Sequence, residues 1–340
     1  MNRVIVETEE LGTCPHCKGL RLKLWRKGRD RLHNLSEQTF KYSKCKDCGL
    51  TFLSFRPTEN EARKFYPQDY GPYNAGREPA PAESPLRDGL IRSLAQNSLG
   101  RFLNSVNYRT DLLFKDNCTE IPERYYQPKA HGSRLLDFGC GSEAFLNWAA
   151  QRGWVGTGID FSEATVRSVA ASGHQAFLMS PAVWDQVDDE SLDFVRFNHV
   201  LEHLYSTEEV LKNVKTKMKP GATIHIAVPN PRSISSRLFR SYWLGLDCPR
   251  HVVLYSPELL RRVLMNVGFL NIEIRHEVVT KDFARSLGYF MCDRGLMKHS
   301  SAVAMKDREL LHQLLYLPAK CAAAFGLSDR YHAFARKPKQ

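Results

Sequence analysis

The six residues Asn198-His199-Val200-Leu201-Glu202-His203 place two imidazoles and a carboxylate at i, i+3 and i+4. On a helix that spacing shares one face. An imidazole titrates near neutral pH, so it is the natural group to take a proton from a nucleophile, and His203 is the leading candidate. The bland alternative is that one histidine packs the helix end while Glu202 accepts from a backbone group. Four cysteines form a second constellation, Cys14-x-x-Cys17 and Cys45-x-x-Cys48, separated by 27 residues and each pair closely followed by a glycine. Four soft thiolates at two such knuckles suit a closed tetrahedral site for structural zinc. His16, inside the first knuckle, reads as exposed and not as a ligand. Cys118, Cys140, Cys248, Cys292 and Cys321 lack ligand spacing and read as free thiols.

The stretch Leu135-Leu-Asp137-Phe-Gly139-Cys140-Gly141-Ser-Glu143-Ala-Phe-Leu146 reads as a strand turning into a helix. Glycines let a backbone approach a ligand closely, and a helix opening near Ser142 offers free N–H groups to an anionic group. The next strand ends in Asp160, about twenty residues on, a spacing that suits a carboxylate accepting two ribose hydroxyls. Glu143 stands where a third glycine would be expected. Two readings remain open for it: a helix-end acid favoured by the helix dipole, or a group beside the bound nucleotide-like cofactor that alters its affinity.

These residues need elements to hold them. From Ser133 onward strands and helices alternate: RLLDF, AFLNWAAQRG, VGTGID, ATVRSVAASG, AFLM, LDFVRFN, a helix through Val210 to Met218, then TIHIAVP. That alternation predicts a parallel α/β sheet with helices on both faces. SPELLRRVLMNVGF predicts a Ser-Pro-capped helix leading into the strand NIEIRHEVV, and YHAFARK a closing strand. The expected organisation is a zinc ribbon over 1–56, a linker and helical cap over 57–130, and an α/β domain over 131–340 with a helical insertion at about 281–328. The chain has 340 residues, 43% of them hydrophobic, enough for a sizeable core. Lys and Arg outnumber Asp and Glu by 48 to 37. Residues 1–56 hold 12 of these bases against 6 acids, so the ribbon is a basic module that can attract phosphorylated metabolites, nucleic acid or acidic lipid. The N-terminus lacks a signal-peptide core, and Leu310 to Leu327 is interrupted by His312, Gln313, Pro318 and Lys320. A cytoplasmic protein without a transmembrane segment is expected.

DFGCGSEAFL, GTGIDFSEA, LDFVRFNHVLEHL, MKPGA and LLRRVLMNVGF, in this order and spacing, resemble the successive motifs of class I S-adenosylmethionine-dependent methyltransferases. The resemblance covers about Leu135 to Val279 and implies a Rossmann-like seven-stranded sheet. It implies S-adenosyl-L-methionine as cofactor, with the methionine portion at Gly139 and Gly141 and the ribose at Asp160; Asp137, Cys140, Glu143, Phe161 and Asn198 complete the expected cofactor side. A dehydrogenase is disfavoured because the turn reads G-C-G-S-E-A, with Ala at 144. Some quinol enzymes of this type hold a divalent cation with two Glu and a His at the spacing of 199, 202 and 203, but His199 stands where the first Glu would be. In related bacterial enzymes a Pro-Arg-His segment borders the substrate pocket, which makes Arg250 a candidate phosphate ligand and His251 a second candidate base. The segment FLSFRPTENEARKFYPQDYGPYN resembles the one that follows the ribbon in bacterial methyltransferases of sugar-nucleotide, antibiotic and surface-polysaccharide pathways. Tyr66, Tyr70 and Tyr73 are then candidate substrate contacts.

Three functions compete. The first is methylation of a hydroxyl on a small molecule or glycan, including phosphorylated acceptors. The second is an RNA methyltransferase, since a basic zinc ribbon also precedes this fold in ribosomal-RNA guanine-methylating enzymes. The third is a non-catalytic scaffold. Sugar C-methylation is weakened because such enzymes usually carry a further C-terminal domain, whereas this sequence stops soon after its last expected strand.

Overall fold

The computed structural model describes residues 4–67 and 123–339. Most of the linker and cap expected between 57 and 130, with Tyr70, Tyr73 and Cys118, lies outside the described residues. The N-terminal part is an antiparallel sheet of β1 (Thr8–Glu10), β2 (Leu22–Gly28), β3 (Phe40–Cys45) and β4 (Thr51–Pro57), in the order β1-β4-β3-β2, followed by the helical turn α1 (Glu59–Ala62). Then come β5 (Ser133–Phe138), α2 (Ala144–Ala150), β6 (Trp154–Asp160), α3 (Glu163–Ala171), β7 (Gln175–Leu178) and β8 (Leu192–Asn198). The chain continues through α4 (Thr207–Lys217), β9 (Met218–Pro229), α5 (Ile234–Phe239), β10 (Val253–Leu254) and α6 (Pro257–Val267). It closes with β11 (Leu270–His276), α7 (Lys281–Cys292), α8 (His299–Val303), α9 (Glu309–Ala324) and β12 (Arg330–Arg336).

Seven strands form the central sheet in the order β11-β12-β9-β8-β5-β6-β7. β5 to β9 pair in parallel, and β12 is antiparallel to both β9 and β11. Alternate residues of β5 serve different cores: Leu136 and Phe138 face one apolar cluster, Leu135 the other. A parallel sheet covered on both faces therefore reads as the near-continuous apolar runs seen in the sequence. Strand order reverses between β5 and β8, so the crevice beyond their C-terminal ends is where a ligand sits in such folds. The Ser-Pro reading holds in detail. Ser256 Oγ accepts from the Leu259 N–H at 3.3 Å, Pro257 opens α6, and Gly268 at φ +93° ends it. Leu259, Leu260, Val263, Leu264 and Val267 are buried, the i, i+3, i+4 stripe that presses α6 onto the sheet.

The ribbon does not stand apart from this core. Cys14, Cys45, Leu50 and Phe52 belong to the same apolar cluster as Phe138, Tyr255 and Leu259. β10 adds to β4 as a further antiparallel strand, with Val253 opposite Phe52 and Leu254 opposite Thr51. A module too small to enclose its own apolar side chains thus completes its burial against the larger sheet.

Phe52 is fully buried at that junction. Phe52→Ala is expected to cost about 3–5 kcal/mol and to raise hydrogen exchange at Val252 to Leu254 more than in β5. Denaturant titration and exchange mass spectrometry check both parts.

Candidate active site

β5 runs out at Phe138 and the chain turns through Gly139 at φ +71° and Gly141 at φ +65°. A Cβ on Gly139 would stand 2.5 Å from Val200 Cγ2, so a side chain there collides with the exit of β8. The turn is latched to β6: the N–H groups of Gly139 and Cys140 both donate to Ile159 O, at 2.7 and 3.2 Å. Asp160, at the end of β6, is buried; its Oδ2 accepts from Gly141 N–H and its Oδ1 from Ser162 N–H, both at 2.9 Å. Burial pushes this carboxyl above its ordinary value, with those donors opposing. One row along the sheet, Asp137 is fully buried and receives Arg196 Nη1 on both oxygens, at 3.1 and 2.9 Å. Burial lifts Asp137 to about 6, against the pull of Arg196. Ser168 Oγ donates to Glu143 Oε2 at 2.9 Å, so this carboxylate ties the start of α2 to α3.

Beyond β8 the chain does not coil into an α-helix. His199 takes φ +58°, and only Leu201–His203 form a 3-10 turn. His199, Glu202 and His203 therefore do not line one helical face. Val200 pressed against Gly139 leaves the chain to reverse here, and a non-glycine residue at positive φ is a strained conformation. The partner of His203 comes instead from the 245–251 loop. The His203 and His251 rings lie edge to face with centroids 4.7 Å apart. Glu202 is almost wholly buried, with His199 Nδ1 at 3.4 Å and His251 Nε2 at 3.8 Å from Oε1; its Oε2 has no hydrogen-bond partner. Burial opposes its charge, yet the three surrounding histidines hold it down to about 2. His203 is pushed down to about 4, by burial first and by His251 next. His203 Nδ1 lies 3.0 Å from Arg250 O and 2.9 Å from Tyr66 Oη. The Tyr66 ring also meets Phe161 edge to face at 5.0 Å.

At the ribbon, Cys14 and Cys48 sulfurs are 3.6 Å apart, as are those of Cys17 and Cys45. All four lie within 4.8 Å of one another. A tetrahedron with Zn–S bonds of about 2.3 Å has edges of about 3.8 Å, so the donor set fits a structural zinc ion. Arg262 Nη2 donates to Cys48 O at 2.8 Å. His16 is a part-buried partner of Glu208 on α4, where the sequence suggested exposure.

Residues 108–274 match the family described as a methyltransferase domain. The sheet order, the antiparallel β12 and the glycine turn followed by Asp160 agree with that match. Residues 108–274 thus carry a methyltransferase domain of the S-adenosylmethionine-dependent type. A curated relative, the ubiquinone biosynthesis O-methyltransferase of Idiomarina loihiensis, is 28% identical over 133 residues, covering 37% of this chain and 52% of the relative. The chain thus spans about half the length of the curated relative it matches. Similar solved structures include an S-adenosylmethionine-dependent methyltransferase of Archaeoglobus fulgidus, 20% identical, covering 69% of this chain and 94% of that one, TM-score 0.41. Another is the Haemonchus contortus phosphoethanolamine N-methyltransferase 2 with phosphomonomethylethanolamine and S-adenosylhomocysteine, 15% identical, covering 94% and 68%, TM-score 0.46. At those scores neither bears on the acceptor of this chain.

The methyltransferase domain gathers some of the expected residues and disperses others. Gly139, Cys140, Gly141, Asp160 and Phe161 surround the turn, and bare glycine backbone beside a buried carboxylate suits the cofactor of this family. Asn198 ends β8 at the same crevice. His203, His251, Glu202 and Tyr66 converge, and the first three are the trio whose donor atoms come within 4.8 Å, with His199 outside it. Arg250 is a correction. Its side chain is fully buried, with Nε and Nη2 bonded to Asp247, Nη2 also to Asp30, and Nη1 to Phe65 O. It has no face left for a phosphate. Sequence reading missed Asp247, Asp30 and Arg196, and also Arg330, which pairs through both Nε and Nη2 with Asp282 at 2.7 Å and reaches His199 Nε2 at 3.4 Å. The i, i+3 spacing of Asp247 and Arg250 was the one available signal. Among the described residues no helix is long and apolar enough to cross a membrane.

The depressed His203 value makes stability depend on pH. Between about 6.5 and 4 the unfolded chain binds a proton at this ring that the folded domain refuses, so stability is complete above 6.5 and is lost as pH falls toward 4. His203→Gln is expected to flatten the fall of melting temperature over that window. Parallel slopes for both proteins would refute the assignment.

Proposed function

We propose that this chain transfers a methyl group from S-adenosylmethionine to a hydroxyl of a small molecule or glycan, with His203 as general base. The observation that carries the reading is the bridge made by Tyr66, whose ring touches Phe161 beside Asp160 and whose hydroxyl meets His203. The cofactor supplies an electrophilic methyl on a sulfonium. Gly139, Gly141, Asp160 and Phe161 would hold it, while His203 would take the proton of an acceptor hydroxyl as the methyl leaves the sulfonium for that oxygen and a neutral thioether remains. Its low pKa keeps the ring neutral at physiological pH, with a lone pair ready. The buried charge of Glu202 stabilises the imidazolium as it forms. His251, edge-on to His203, is the second candidate for the same duty. The name of the Idiomarina relative supports oxygen as the methylated atom. Zinc at Cys14, Cys17, Cys45 and Cys48 has a structural part, and a cytoplasmic location goes with this reading. A divalent cation is not needed for the step.

RNA methylation is the second reading, and the exposed Lys23, Lys27, Lys44 and Lys46 of the ribbon favour it. Binding of a ribosomal-RNA fragment that weakens steeply with salt, without turnover of sugar nucleotides, would replace the first reading.

Titration calorimetry with S-adenosylmethionine tests the cofactor. Asp160→Ala is expected to weaken binding at least tenfold, about 1.4 kcal/mol, with zinc content unchanged; no binding by the unaltered chain would sink the enzymatic reading. His203→Gln is expected to lower methyl transfer by about 10²–10⁴-fold at constant cofactor affinity, followed by mass spectrometry of products from labelled cofactor and candidate extracts. Full turnover in that variant removes His203 as base.

A further inference from the structure

The proton positions on the two facing histidines are set by backbone carbonyls of the loop 245–251. A backbone carbonyl can only accept, so an imidazole nitrogen at hydrogen-bond distance from one must carry the hydrogen. His203 Nδ1 is 3.0 Å from Arg250 O, with Tyr66 Oη, which can accept as well as donate, 2.9 Å away on the same nitrogen, and His251 Nδ1 is 2.9 Å from Gly245 O. In their neutral forms both rings are therefore Nδ1–H tautomers, and in each the lone pair sits on Nε2. Both carbonyls belong to the loop 245–251, and this loop is anchored to the ribbon. Arg250 sends Nη2 to Asp30 Oδ1 at 2.9 Å, with both side chains fully buried. Asp30 is itself fixed by the N–H groups of His33 at 3.3 Å and Leu35 at 2.9 Å. Tyr42, fully buried on β3, places its hydroxyl 2.8 Å from Leu246 O and 2.8 Å from His251 O. Just past the loop, Leu53 N–H on β4 donates to Val252 O at 2.8 Å, and Val252 N–H to Glu202 O at 2.8 Å.

We propose that Asp30 and Tyr42 of the ribbon are positioning residues, which hold the 245–251 loop so that its carbonyls lock His203 and His251 with the proton on Nδ1 and the lone pair on Nε2. The catalytic value of this rests on the reading of His203 as base, but the tautomer itself does not. Neither residue touches acceptor or cofactor in this arrangement. Asp30 acts through Arg250, whose own carbonyl is the one that meets His203. Tyr42 acts through the carbonyls at the two ends of the loop. The basic ribbon then has a place in the reaction that needs no nucleic acid.

The test uses the full zinc-loaded chain with ¹⁵N-labelled histidine, read by long-range nitrogen–proton correlation at pH 7.5. The His203 and His251 signals are assigned by His203→Gln and His251→Gln. The unaltered chain is expected to show both rings as single Nδ1–H tautomers. Tyr42→Phe, which keeps the ring and removes only the hydroxyl, and Asp30→Asn, which keeps the shape and removes the charge, are expected to give mixed tautomers at one or both rings. Zinc content and S-adenosylhomocysteine affinity should stay within twofold. Asp30→Glu is expected to restore the single tautomer at least in part. Nδ1–H populations unchanged in Tyr42→Phe and Asp30→Asn overturn the proposal, as does an Nε2–H ring at both positions in the unaltered chain. Mixed tautomers together with full turnover by His203→Gln would leave the positioning standing and remove the base.

Discussion

Arg250 carries its charge where no solvent reaches it, and the architecture of the site follows from what that requires. Taking a guanidinium out of water costs several kcal/mol, which is offset only by close opposite charge and filled hydrogen bonds. Asp247 supplies one carboxylate from the same loop, Asp30 a second from the ribbon, and Phe65 a carbonyl from the chain leaving it. Burial alone would raise the Asp247 carboxyl, but Arg250 holds it well below its ordinary value. Three segments far apart in the chain thus meet on one cation. Withdrawal of either carboxylate would leave buried charge short of its partner, and breaking such a pair costs about 3–5 kcal/mol. The loop is correspondingly fixed, even with Asp247 at φ +27°.

The sheet was legible because strands buried on both faces must be apolar along their length, and RLLDF, VGTGID and LDFVRFN show it. The glycine turn and the four cysteines were legible because their chemistry is carried by spacing within a few residues. The meeting of His203 with His251 was not, since it depends on β10 joining β4, a contact between residues about two hundred positions apart. The helix expected through His199 to His203 failed for a related reason. Val200 fills the space that Gly139 leaves open, and that tertiary contact overrides a local period of 3.6. Nothing within LDFVRFN itself gives Arg196 a role. Its partner Asp137 appears only when β8 is set beside β5 in register.

That register also explains how polar groups are tolerated inside the sheet. Asp137, Arg196 and His225 lie opposite one another on β5, β8 and β9. From His225 a chain of contacts runs on: Nδ1 meets Tyr126 Oη at 3.1 Å, Nε2 meets His332 Nδ1 at 3.0 Å, and His332 Nε2 meets Glu277 at 3.3 Å. Burial holds His225 well below its ordinary value, so it stays neutral and can donate at one nitrogen and accept at the other. Most of this row is hydrogen-bonded, although Arg196 Nε is buried with no hydrogen-bond partner; with further members missing it would be costlier than apolar packing.

The charge of the ribbon weighs on the choice between acceptors. Counted in the sequence, twelve bases against six acids resemble a nucleic-acid footprint. In the fold, several arginines are already spent. Arg26 donates to Ser236 and to Arg240 O, Arg29 and Arg31 share Asp293, and Arg56 pairs with Glu9. What remains outward is mostly lysine, a mobile point charge and not the planar fork that reads phosphates and bases in pairs. Arg26 fastens the ribbon to α5, and Arg29 and Arg31 fasten it to the end of α7, as Arg250 fastens it to the histidine loop, whereas Arg56 pairs within the ribbon. Much of the surplus therefore acts inward, between ribbon and domain, which supports a small-molecule or glycan acceptor over RNA.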